Sequence, residues 1–258
     1  MRILIGLAGL LAASAQAQFL ATGLPASDPS FIGWATGVSN LTRGPMNIAN
    51  PGLGNASFGT ANSALGAPNG SDVVSLGDGG SITLTFAQPI TNGPTWDFAV
   101  FENGFISSGL VFAELGFVEV SSNGTDFFRF TSTSLTQTST QVGAFGTLDP
   151  TKINNLAGQF PAMQGTPFDL DELFGVSPLL DINAVTHVRI IDVVGSLNDA
   201  YASRDSLGNK INDPWSTPFA SSGFDLDAVG VIHAVPEPAS FAVLGLGALL
   251  LRRRRQTK

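Results

Sequence analysis

The chain of 258 residues contains no cysteine. Disulfide staples and a thiol nucleophile are therefore excluded, and the fold must be held by its core, by bound ions, or by both. Histidine is almost as scarce: His187 and His233 are the two in the chain, both in strand-like segments and without the spacing of a zinc protease. Each reads as a strand-face residue. No G-x-S-x-G elbow and no Walker loop occurs. No repeat with a period of about 20–50 residues is visible, which argues against a solenoid. Basic residues are few, and half of the twelve sit in the terminal segments (Arg2, Arg252, Arg253, Arg254, Arg255 and Lys258). Six basic residues then face all 20 acidic residues between Gln18 and Pro238, a net charge of −14. Such a surface repels nucleic acid and anionic lipid and attracts divalent cations.

What is abundant points to β-structure. The chain has 30 glycines and 19 phenylalanines, with Ser, Thr and Asn throughout, the profile of a secreted domain with many turns. Residues 18–69 are loop-rich, with a strand expected near Phe31–Val38. In Ser81–Phe86, Ile82, Leu84 and Phe86 alternate with threonines, the pattern of a half-buried strand. Asp97–Glu102 is apolar on both faces and so central. Val111–Ser121 and Thr125–Ser132 follow, joined by an Asn123-Gly124 hairpin signal. Leu135–Gln159 is polar and loop-like, Phe168–Phe174 a short helix. Ala184–Val194 and Gly223–His233 are strong strands. Seven to nine strands at this spacing predict an all-β β-sandwich over residues 18–234, a single domain.

The ends differ from this body. Met1-Arg2, an apolar run from Ile3 to Ala13 and the small-x-small site at Ala15 and Ala17 form a secretory signal peptide over residues 1–17. Residues 235–258 hold Pro236-Glu237-Pro238, an apolar stretch from Phe241 to Leu251, and the cluster Arg252, Arg253, Arg254 and Arg255. The prolines stop any preceding element. The apolar stretch can form a helix that falls short of the ~30 Å hydrocarbon core unless tilt and snorkelling help. The arginines should stay cytoplasmic. A transient transmembrane helix, used as a sorting handle, is the expectation.

These three parts in this order resemble the PEP-CTERM sorting signal of Gram-negative bacteria that make extracellular polysaccharide. The resemblance implies inner-membrane insertion, removal of the tail by an exosortase-type protease, and release to the cell surface or biofilm matrix. The body resembles uncharacterised PEP-CTERM surface proteins that carry the segment Phe101-Glu102-Asn103-Gly104. Its last two strands are similar to the closing strands of jelly-roll, carbohydrate-binding or discoidin-like domains.

Two sets of residues could carry chemistry. Asp225 and Asp227 stand two apart on a predicted strand, so both carboxylates share a face. Like charges that close need a cation, a proton or solvent. Asp97, Glu102 and Asn103 are companions, with Glu114 and Glu119 on the next strand and Asp192 late in its own. Oxygen donors of this kind suit calcium, so Asp225, Asp227, Asp97, Glu102 and Asp192 are the candidate Ca2+ ligands. The alternative is a set of solvated strand-end carboxylates. The loop after Asp192 mixes oxygen donors with aromatics but lacks EF-hand spacing. Tyr201, Trp215 and Phe219 could stack on sugars, or could pin a long loop to the sandwich. The leading expectation is an exported, non-catalytic surface or matrix protein, calcium-stabilised and polysaccharide-binding, with no nucleic-acid partner. A purely structural or adhesive protein is the alternative, and a secreted glycoside hydrolase, which needs a spaced carboxylate pair, is a third.

Overall fold

The computed structural model describes residues 19–236. Ala15, Ala17, Glu237, Pro238, the apolar stretch and the four arginines lie outside the described residues. No helix among the described residues is long and apolar enough to cross a membrane.

The described residues form a β-sandwich. Its strands are β1 (Leu24–Pro25), β2 (Gly33–Trp34), β3 (Gly37–Thr42), β4 (Val74–Ser75), β5 (Ser81–Ile90), β6 (Phe98–Glu102), β7 (Phe105–Ser107), β8 (Leu110–Phe112), β9 (Gly116–Ser121), β10 (Phe128–Arg129), β11 (Thr133–Ser134), β12 (Ile153–Asn154), β13 (Gln164–Phe168), β14 (Val185–Asp192) and β15 (Asp225–Val231). The first sheet runs β1-β13-β6-β15-β2, with β4 also on β15; the second runs β10-β9-β14-β5-β3. All pairings are antiparallel. Two small ribbons, β7-β8 and β11-β12, lie beside them.

Side-chain alternation explains the layers. Ile82, Leu84, Val118, Val120, Val188 and Ile190 of the second sheet meet Phe98, Val100, Val229 and Val231 of the first in one buried core. Phe98 stacks on Phe168 at 5.3 Å between ring centroids, and Phe130 closes on Phe168 at 5.0 Å. The other face of β6 is apolar for a separate reason. Ala99 and Phe101 pack under Phe31 and Trp34, which cover that side of the sheet. A strand covered on both faces reads as apolar throughout, which is why β6 looked central.

Three segments depart from the sequence reading. The strand expected over Val111–Ser121 breaks at residues 113–115, because the Leu115 N–H donates to Asp213 Oδ2 at 2.9 Å instead of to a neighbouring strand. The strand expected over Thr125–Ser132 shrinks to two residues, since Asn123 Oδ1 accepts from the Thr125 and Asp126 N–H groups and widens the hairpin loop. The expected helix is a 3-10 turn, Leu170–Leu173, capped by Asp169.

Antiparallel pairing brings many acids to one end. That end holds the last residues of β6 and β14, the first of β9 and β15, and the turn between β4 and β5. The start of β6 and the end of β15 lie at the opposite end.

Candidate functional site

Glu102 closes β6, and Asp225 opens β15 beside it, since Leu226 pairs with Glu102. Glu114 comes from the break before β9, just ahead of the second sheet. One carboxylate oxygen from each of Glu102, Glu114 and Asp225 lies within 4.8 Å of the others. They are 1%, 5% and 6% exposed.

The Phe101-Glu102-Asn103-Gly104 segment builds part of this geometry. Phe101 anchors the outer aromatic layer. Glu102 Oε2 accepts from the Gly104 N–H at 2.6 Å. A Cβ at position 104 would sit 2.4 Å from the Phe112 carbonyl oxygen and 2.8 Å from Glu102 Oε2, so glycine is required for that approach. Ser75 Oγ donates to Asp225 Oδ1, and the Asn103 side chain lies close enough to act on the same carboxylate. The remaining oxygens are worse served. Glu102 Oε1 and Glu114 Oε1 are buried without a hydrogen-bond partner. An unsatisfied buried polar group costs about 1–3 kcal/mol, and more when charged.

The electrostatics follow. Burial pushes the Glu102 and Glu114 carboxyls well above the usual range, and neighbouring Asp225 pushes both further. Burial pushes Asp225 up to about 7, against the pull of Ser75, Asn103 and the Arg43 charge. Arg43 is itself fixed, donating to the carbonyls of Phe58 (2.9 Å), Gly59 (2.7 Å) and Ser75 (2.6 Å).

The other sequence-predicted ligands are held differently. Asp192 accepts from the Phe224 N–H at 2.7 Å and the Gly79 N–H at 2.8 Å, clamping the turn before β5 to the start of β15. Asp227 falls where the β15 register shifts against β6, and accepts from the Asn69 and Gly70 N–H groups at 3.1 and 2.7 Å. The irregularity gives Asp225 and Asp227 separate partners, although simple alternation puts them on one face. Asp97 lies at the far end, where it accepts from the Gly93 and Leu170 N–H groups and faces His233 Nδ1 at 2.9 Å. Glu119 is buried but neutralised, at 2.8 Å from Arg129 and in a second ion pair with Arg189.

The structure brings together Glu102 and Asp225 of the five candidate ligands, and adds Glu114. Asp78 and Asp213 line the same end, and burial raises both carboxyls. Asp213 was legible only as part of an Asn-Asp-Pro-Trp loop. Arg43 carried no sequence signal, because its role depends on three carbonyls brought together by the fold.

The candidate aromatic platform separates. Tyr201 and Trp215 are half-buried. The Trp215 indole N–H donates to Asp78 Oδ2 at 3.1 Å, so this ring ties the long loop to the sandwich. Phe219 is 47% exposed and stacks, at 5.9 Å, on Phe145, which is 70% exposed. Phe145 lies in the segment read as polar loop and was missed there.

At the chain's end, Ala234 bridges to Ile90 and the Val235 N–H donates to the Pro89 carbonyl at 2.9 Å, so Pro236 emerges directly from the sandwich. No curated protein matches the chain. Residues 234–256 match the PEP-CTERM protein-sorting motif, and the chain is thereby an exported protein that carries the sorting signal of exosortase-processed surface proteins.

Proposed function

We propose that the body is a non-catalytic surface or matrix module, stabilised by calcium, that contacts extracellular polysaccharide. The observation that supports polysaccharide contact most is the exposed Phe145–Phe219 stack. Two large apolar rings in water on an acidic, surface-sorted protein suit the C–H faces of pyranose rings, because a stacked aromatic pair offers a flat apolar surface. Calcium fits the same setting. The body has no disulfide to brace it, and its buried carboxylates offer hard oxygen donors. The deep carboxylates Asp97, Asp192 and Asp227 spend their acceptor capacity on backbone N–H groups, a structural use.

The test is co-sedimentation of the exported protein with exopolysaccharide from the producing cells. Loss of binding in Phe145→Ala and Phe219→Ala, with the fold kept, is the expected result. Matrix association that survives both substitutions, and those of Tyr201 and Trp215, would favour the purely structural or adhesive reading. Release of reducing ends would promote the hydrolase reading instead.

A further inference from the structure

We propose that Glu102, Glu114 and Asp225 form one Ca2+ site that ties the two sheets together at this end of the sandwich. This narrows the reading of the body as calcium-stabilised and rests on it. Four observations carry it. The three carboxylates converge from separate elements, two in the first sheet and one in the segment that leads into β9 of the second. Their ligand oxygens lie within 4.8 Å of one another, and opposite ligands of an ion with Ca–O distances of about 2.3–2.6 Å stand roughly 5 Å apart. Glu102 Oε1 and Glu114 Oε1 are buried without a partner, so each of these two carboxylates keeps acceptor capacity that no protein donor uses. Ser75 and the Gly104 N–H each donate to one of the three carboxylates and hold it in place, the arrangement expected of supported ligands.

Charge selects the ion. Arg43 acts on Asp225 and contributes one positive charge. A divalent cation beside it balances the three carboxylates completely, whereas a monovalent ion leaves one negative charge buried. Chemistry narrows the choice further. The cluster holds no histidine or cysteine, which disfavours zinc and copper. Three carboxylates can offer up to six oxygens in irregular geometry, which suits calcium; magnesium demands near-ideal octahedra and keeps several waters, for which a site this buried leaves little access. Glu119 shows what the fold does when it means to neutralise an acid without a metal: it supplies two arginines.

The test is thermal unfolding of the intact chain in chelator, in millimolar calcium and in millimolar magnesium. Calcium is expected to raise the midpoint by about 5 °C or more, magnesium far less. Glu114→Gln and Glu102→Gln keep the side-chain volume and remove a charge. Each should abolish the calcium shift while unfolding in chelator at or above the wild-type temperature, because buried repulsion is relieved. Asp225→Asn provides the same readout from the third position. Asp97→Asn, at the far end, should keep the shift. A wild-type midpoint that ignores calcium overturns the site and the calcium reading together. A shift that survives undiminished in Glu114→Gln overturns the site alone and leaves calcium bound elsewhere. An equal response to magnesium overturns the choice of ion.

Discussion

The same end of the sandwich buries carboxylates in two contrasting ways. Asp192 is surrounded by donors: two backbone N–H groups from separate turns close on its two oxygens. Glu114, in the strand break nearby, has an oxygen with no donor and has Asp225, Glu102, Asp192 and Asp213 as acidic neighbours. Both residues are almost fully buried, so burial does not distinguish them. What distinguishes them is the count of donors. A carboxylate that collects N–H groups acts as a staple for loops. One that faces other carboxylates with open lone pairs is the kind of group the proposed Ca2+ site uses. The loop between β14 and β15 has no covalent brace, so hydrogen-bonded staples such as Asp192 carry that task.

The contrast can be broken in several ways. The largest effect is expected at the staple. Asp192→Ala leaves the Phe224 N–H buried without an acceptor and frees the Gly79 N–H of the neighbouring turn, and should destabilise by about 3 kcal/mol in urea unfolding, with or without calcium. A small loss, or one that appears only in calcium, would place Asp192 among the ligands.

Second in size is the pH dependence of the cluster. Asp225 titrates near 7 in the folded chain against an ordinary value of 3.8, so between these limits the folded state holds more protons than the unfolded. Its contribution is fully present below about pH 3.8 and is lost as pH rises through about 7. Stability in chelator should therefore fall across that window, read as the urea midpoint at each pH. Saturating calcium replaces the proton and should reverse the slope.

Third, two isosteric changes should differ in sign. Glu119→Gln removes the partner of Arg129 and Arg189, and because both arginines are partly solvated the loss should be about 1 kcal/mol or less. Glu114→Gln, in chelator, should be neutral or stabilising. Matching losses at both sites would erase the distinction between a neutralised acid and an exposed one. The smallest effect is expected at the surface. Phe145→Ala should change stability by about 0.5 kcal/mol or less while reducing polysaccharide binding.

Much of the scaffold for this contrast was legible in the residues. Alternating Ile82, Leu84, Val188 and Ile190 marked β5 and β14, and Asp192 lies in phase with Val188 and Ile190 on the buried side. The double apolar faces of β6 marked its central place. The tail announced itself through Pro236-Glu237-Pro238 and the arginine cluster, a local signal that needs no fold to be read. Long-range features were not legible. Alternation groups Asp225 with Asp227, and only the register shift in β15, set by pairing with β6, gives them separate partners. Glu114 was visible as an acid in a strand; its place in the cluster depends on the break where Asp213, about a hundred residues later, accepts the Leu115 N–H. Phe145 meets Phe219 across two loops with no periodicity to relate them.

Equilibrium dialysis of the intact chain against radioactive calcium tests the distinction most directly. One ion per chain is expected for the wild type and for Asp97→Asn, and none for Glu114→Gln at the same free calcium. No bound ion in the wild type, or an ion that Glu114→Gln retains, would contradict the assignment of the three facing carboxylates.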